Sequence, residues 1–307
     1  MVDGAGIYTA YAALGLVAGT LGGLIGIGGG AIVVPVLTIF FHKDVQLAIA
    51  ASLVQMVFVA ASSAYGHWKN RYLLKPVLVR LIPVAAASAV IGVFIGTSVP
   101  SGVLQKVFAL FLLYTAGDTG WRLARSIIGR HADETPLTEF TVKNEWTIPS
   151  VAAPMGLSCG VLGIGGGSIA VPALHMFLRL PLKNAIANSA AAIFFSSIIA
   201  AALKAASIDG MTVTANGAAA TLHWYDAVVV GLLLAPGSFV GGRIGAHLVK
   251  KAPAKIIQVV FIAVLLYSAH DMWFKSSPKK TPTAPPATEQ PAQPEPDRPP
   301  AEKSGGT

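Results

Sequence analysis

GIGGGAIVVP at residues 26–35 and GIGGGSIAVP at residues 163–172 are two copies of one segment, 137 residues apart. Glycine is a poor helix former, costing about 1 kcal/mol against alanine in a helix interior. It also adopts tight turns and positive φ freely. Each copy therefore predicts a helix, a glycine turn, and a new helix starting near Gly30 or Ala31 and near Gly167 or Ser168. The apolar stretches after the turns, residues 28–41 and 166–180, fall short of the roughly 20 residues that span a bilayer. The pair reads as two re-entrant or broken helical hairpins.

The same offset aligns AIAAS at residues 48–52 with AIANS at 185–189, without a gap. An offset of 149 matches Gly92 and Gly96 to Gly241 and Gly245, and one of 153 aligns LQKVFALFLLYTAGD (104–118) with IQVVFIAVLLYSAHD (257–271). Shared hydropathy does not produce the matches Gln105/Gln258, Tyr114/Tyr267 and Asp118/Asp271. The chain is an internal duplication.

Composition places it in a bilayer. Hydrophobic residues make up 54% of the 307 and charged residues only 12%, with a mean hydropathy of +0.65; a soluble domain carries about 25% charge. The apolar stretches predict ten membrane segments at about 7–25, 28–41, 46–65, 77–97, 102–120, 148–163, 166–180, 184–206, 226–248 and 253–274. The expected fold is an all-α polytopic membrane protein with two inverted repeats of five segments. Residues 1–120 form the first repeat, 121–147 a cytoplasmic linker and 148–274 the second repeat. A Pro-rich tail, 275–307, is expected to be disordered because it cannot bury a core. Residues 207–225 read as a polar loop. The N-terminus has no basic n-region, so the first apolar segment is expected to stay in the membrane.

Five segments per half is an odd number, so the halves should cross in opposite directions. Alternating the loops puts Lys69, Arg71, Lys75, Arg122, Arg125, Arg130, Lys143, Arg179, Lys183, Lys250, Lys251 and Lys255 on one side. The short loops of the other side hold only Lys43. The positive-inside rule makes the first side cytoplasmic and both termini external. The formal charge of +8 is thus accounted for beside the segments, and nucleic acid is not an expected partner.

Function follows from the turns. Unwound backbone survives in a membrane only where it lines a cavity or is buried in protein. The N–H groups and dipole at a helix start attract an anion without a charged side chain. The candidate substrate-binding residues are Gly28, Gly29 and Gly30, and Gly165, Gly166 and Gly167, with Ser168, Ser52, Gln55, Asn188 and Ser189 at similar depth. Close helix packing by small residues is the competing explanation for the glycines, and capping or interhelical bonding for the serines. Lys204 and Arg243 lie within segments and could draw anions inward or snorkel to the surface. Asp118, Asp226 and Asp271 sit near segment ends. The seven histidines have no metal-ligand spacing, the single Cys159 allows no intrachain disulfide, and no nucleophile elbow or ATP motif is present. No cofactor is expected, and transport would be secondary.

At the two GIGGG–VP segments and the Ala-(Ala/Asn)-Ser segments after them, the chain resembles the TauE/SafE family. The resemblance covers residues 7–274. It implies a bacterial or archaeal cytoplasmic-membrane carrier, read in the exporting sense, for small sulfur-containing anions such as sulfite, sulfoacetate or other organosulfonates, with the lipid bilayer as its medium. It leaves a homo-oligomer open. A passive anion channel using the same turns, and a membrane scaffold acting through the tail, are the alternatives. Ala31 and Ala51 stand where the second copy has Ser168 and Asn188, so the second half is the more polar.

Overall fold

The computed structural model describes residues 4–128, 135–138, 140, 146–215, 218–248 and 254–275. Residues 276–307, nearly all of the expected tail, lie outside that set. Among the described residues the chain forms ten helices and one hairpin of strands. The first half holds α1 (Gly4–Ile25), α2 (Gly30–Ile39), α3 (Val45–Lys69), α4 (Lys75–Ser98) and α5 (Ser101–Ile128). The second holds α6 (Thr147–Leu162), α7 (Gly167–Phe177), α8 (Leu182–Ile208), β1 (Thr212–Ala215), β2 (Ala218–Thr221), α9 (Trp224–Leu248) and α10 (Ala254–Lys275).

Among the described residues, five helices are long and apolar enough to cross a membrane: α1, α3, α4, α8 and α9. The distribution of apolar side chains fits a lipid solvent. Val79, Phe94, Leu110, Val240 and Val260 point outward and are more than half exposed, while Ser52, Gln55, Asn188, Ser197 and Lys204 are buried. Water would impose the opposite arrangement; hydrocarbon tolerates the first and drives the polar groups inward. The helical core is all-α and polytopic, as the hydropathy pattern requires.

Small residues set the helix contacts. α1 packs on α9 and α4 on α6. A β-carbon placed on Gly237, Gly241 or Gly245 of α9 would sit 1.9, 2.3 and 2.3 Å from the carbonyl oxygens of Ala12, Leu16 and Thr20 on α1. On the other pair, β-carbons at Gly156 and Gly160 would sit 2.1 Å from the Ala85 and Ala89 oxygens. Spacing by four residues keeps each row on one face, so the backbones meet as in membrane small-xxx-small interfaces. Gly92, Gly96, Gly241 and Gly245, matched in the sequence, all belong to these rows. Gly237→Leu is expected to separate α1 from α9, seen as loss of monodisperse protein on extraction into detergent.

Two boundaries differ from the sequence reading. α5 runs on to Ile128, eight residues into the stretch read as linker, and Leu137 within the linker is docked on α8. Asn184 holds it there, accepting from Leu137 N at 2.9 Å and donating to Leu137 O at 2.8 Å and Tyr72 O at 2.9 Å. Residues 207–225 are no simple loop. β1 and β2 pair antiparallel from Thr212↔Thr221 to Ala215↔Ala218. TVTA, followed by Asn216-Gly217, carries the β-branched residues and dipeptide that favour a two-residue hairpin. Val213 and Leu222 seat this hairpin on Leu47, Ala50, Ile208 and Ala227.

Candidate functional site

The glycine copies form matching turns. Gly26, Gly28 and Gly29 have φ of 79°, 90° and 86°; Gly163, Gly165 and Gly166 have 65°, 89° and 68°. An L side chain is strained in that region, so these six positions demand glycine for conformation. Gly30 and Gly167, the first residues of α2 and α7, demand it for another reason. A β-carbon on Gly30 would lie 2.0 Å from Gly163 O, and one on Gly167 would lie 1.8 Å from Gly26 O. The two turns touch backbone to backbone, and the contact is reciprocal: each copy's last glycine meets the other copy's first.

The neighbours are reciprocal too. The side chain of Ile186 flanks Gly26, as that of Ile49, 137 residues earlier, flanks Gly163. The Ala18 and Met155 carbonyls, again 137 apart, close over Gly29 and Gly166. Met56 enters from α3 with its Sδ against both Gly28 and Gly165. The Gly165 N–H is turned to the Cys159 sulfur.

Helical bonding in α2 starts with Ile32 and Val33, which donate to Gly29 O at 3.1 and 3.2 Å. In α7 it starts with Ile169 and Ala170, donating to Gly166 O at 3.1 and 2.9 Å. The N–H groups of Gly30, Ala31, Gly167 and Ser168 precede these bonds and have no helical acceptor among the described residues. They project into the turns, where each helix start carries about half a positive charge.

The candidate side chains separate into two groups. Ser52 and Gln55 lie at the turns. Ser52 Oγ is 2.8 Å from Ile49 O and 3.0 Å from Gly163 O, tying α3 to the end of α6. Gln55 lies beside Gly29 and donates from Nε2 to Ser238 Oγ at 2.8 Å. Ser168 opens α7 and is buried. Two polar atoms of this group, Gln55 Oε1 and Ser168 Oγ, are buried with no hydrogen-bond partner among the described residues. Asn188 and Ser189 are committed elsewhere. Asn188 Oδ1 accepts from Leu74 N at 3.1 Å, capping α4, and Nδ2 donates to Asn184 O at 2.7 Å. Ser189 Oγ donates one turn back to Ile186 O at 3.1 Å. Met56 and Ser238 join the site without having been foreseen: Met56 reads as ordinary core, and only folding brings Ser238 from α9 to Gln55.

Arg243 rests over the Tyr65 ring, 5.4 Å from its centre, on the outer face of α9. Lys204 does not snorkel; it is fully buried.

Paired glycine turns that unwind the chain inside a helical membrane core mark a polytopic membrane protein. The profile of the family described as sulfite exporter TauE/SafE matches residues 11–272, and the chain belongs to that family. It is 30% identical over 276 residues to the "Probable membrane transporter protein MamO" of Magnetospirillum gryphiswaldense, covering 82% of this chain and 42% of that one. It is 29% identical to "Probable membrane transporter protein YunE" of Bacillus subtilis, covering 82% and 92%, and 26% identical to "Probable membrane transporter protein MJ0441" of Methanocaldococcus jannaschii, covering 82% and 90%. The chain thus spans less than half the length of the MamO protein. No solved structure matches it.

Proposed function

We propose that the protein is a secondary transporter, exporting small sulfur-containing anions such as sulfite, sulfoacetate or other organosulfonates across a bacterial cytoplasmic membrane. One observation carries the reading: two helix N-termini meet at reciprocal glycine turns, and the Ser168 hydroxyl at the start of one of them is buried with no hydrogen-bond partner among the described residues. Backbone N–H groups suit an oxyanion, which offers several acceptor oxygens to donors fixed in place. The affinity comes from dipoles and N–H groups, so the anion can leave again, as it could not from a dense cluster of buried cations. Membership in a family of sulfite exporters supports the sulfur-anion class and the exporting direction.

We further propose that the halves are inverted, with both termini external and the site near mid-membrane, as in other transporters with inverted repeats. The reciprocal contacts between the two turns support this arrangement, and the cytoplasmic charge excess supports the orientation. Residues 1–120 and 148–274 are the proposed repeats.

Purified protein in proteoliposomes should move sulfite saturably and only under an ion or substrate gradient. Saturable, gradient-coupled flux separates a carrier from a channel. Absence of flux for every sulfur anion under every gradient would refute the transporter reading. Deleting residues 276–307 should leave flux within about twofold of the full chain. Complete loss of activity on that deletion would favour a scaffold acting through the tail.

A further inference from the structure

We propose that Lys204 is a second anion station on the substrate route, placed beyond the glycine turns at the far end of α8. The proposal rests on the transporter reading above and adds a residue that the turns do not include.

Lys204 is 0% exposed and among the largest fully buried side chains of the protein. Its Nζ donates to Gln46 Oε1 at 2.5 Å and Thr97 Oγ1 at 3.0 Å, on α3 and α4. Both partners are neutral. The Gln46 amide is oriented by two further bonds, from Nε2 to Gly96 O and Val99 O at 3.0 Å each, so Oε1 must face the ammonium. An ammonium has three donors, and the described protein oxygens engage two. No salt bridge among the described residues reaches it; Asp44 acts on it only from a distance. A tether between helices does not require a charge, and burying a cation without a contacting counter-ion costs several kcal/mol. In membranes such a group marks an ion pathway.

Position supports the assignment. Ile193, Ser197, Ala200 and Lys204 follow one another at helical spacing and are all buried, so one face of α8 leads from Ile193, whose side chain lies against Gly165, to the lysine. The distance along the helix is about 17 Å at 1.5 Å per residue. On α3 the face Gln55, Val59, Ser63 and His67 is buried in the same way, and Ser63 Oγ has no hydrogen-bond partner among the described residues. His67 stands 137 residues before Lys204 and is thus its counterpart in the duplication. The two helices run antiparallel. The start of α8 bonds the α3–α4 connection through Asn184 and Asn188, whereas Lys204, near its end, bonds Gln46 at the start of α3. Each central helix therefore carries a buried face from the glycine turns to a buried basic side chain, and the two basic groups sit at opposite ends.

The test compares Lys204→Met, Lys204→Gln and Lys204→Arg in proteoliposomes, with sulfite as the probe and initial rates measured against concentration. Removing the charge should raise KM about tenfold and leave Vmax within about twofold. Lys204→Arg should stay within about threefold of wild type. Lys204→Gln keeps a donor for Gln46 and Thr97, so it serves where Lys204→Met fails to give monodisperse protein. An unchanged KM in folded Lys204→Gln, or an equal defect in Lys204→Arg, would overturn the proposal while leaving transport itself standing. Absence of sulfite flux in the wild type would overturn both.

Discussion

Gly167→Ala should abolish folded, monodisperse protein. The added methyl would fall 1.8 Å from Gly26 O, well inside any contact distance. The obstacle is backbone at the start of a second turn, and that turn is itself pinned where Gly30 meets Gly163 O. Neither side yields without unwinding the other, so the expected cost exceeds about 4 kcal/mol, the range reserved for diagnostic failures. Gly30→Ala should behave alike, because its β-carbon meets Gly163 O at 2.0 Å. The control is Gly117→Ala on α5, where nothing lies within 4 Å and a helix gains about 1 kcal/mol from alanine. Extraction yield and thermal unfolding in detergent report all three. A well-folded Gly167→Ala protein would mean that the turns do not touch.

Ser168→Ala should hold its stability and bind its substrate more weakly. Ser168 Oγ is buried with no hydrogen-bond partner among the described residues, and such an unsatisfied atom costs about 1–3 kcal/mol. Alanine removes that penalty, so thermal stability should stay level or rise. The hydroxyl can donate to an anion, and a hydrogen bond to a charged ligand contributes about 1.5–3 kcal/mol. Losing it should therefore raise KM for sulfite about tenfold or more. Opposite movements of stability and affinity are the signature of a ligand site. Unchanged KM in Ser168→Ala would refute the assignment of this hydroxyl.

Much of the fold was legible because a bilayer allows few solutions. Long apolar runs must become helices, and glycine clusters before short runs must become turns protected by protein. The starts of α2 and α7 at Gly30 and Gly167 follow from that logic alone. The β-hairpin after α8 was overlooked although TVTANGAAAT carries its signal; inside a chain of helices the polar residues pointed to a loop. Asn188 and Ser189 stood out as polar residues at the right depth. In the fold their side chains bond Leu74 N and Ile186 O, partners that spacing cannot reveal.

By itself the sequence determined the membrane class and the glycine turns within the two GIGGG segments. These are properties of local backbone and of solvent, and local sequence expresses both. Tertiary structure alone decided that the turns meet, that Gly30 and Gly167 are glycine because the other turn fills the space of a side chain, and that Met56 packs on both turns while Ser238 bonds Gln55. It also decided that Lys204 is buried between Gln46 and Thr97. Contacts between residues more than a hundred positions apart depend on how helices pack, and no periodicity within one helix records its partner.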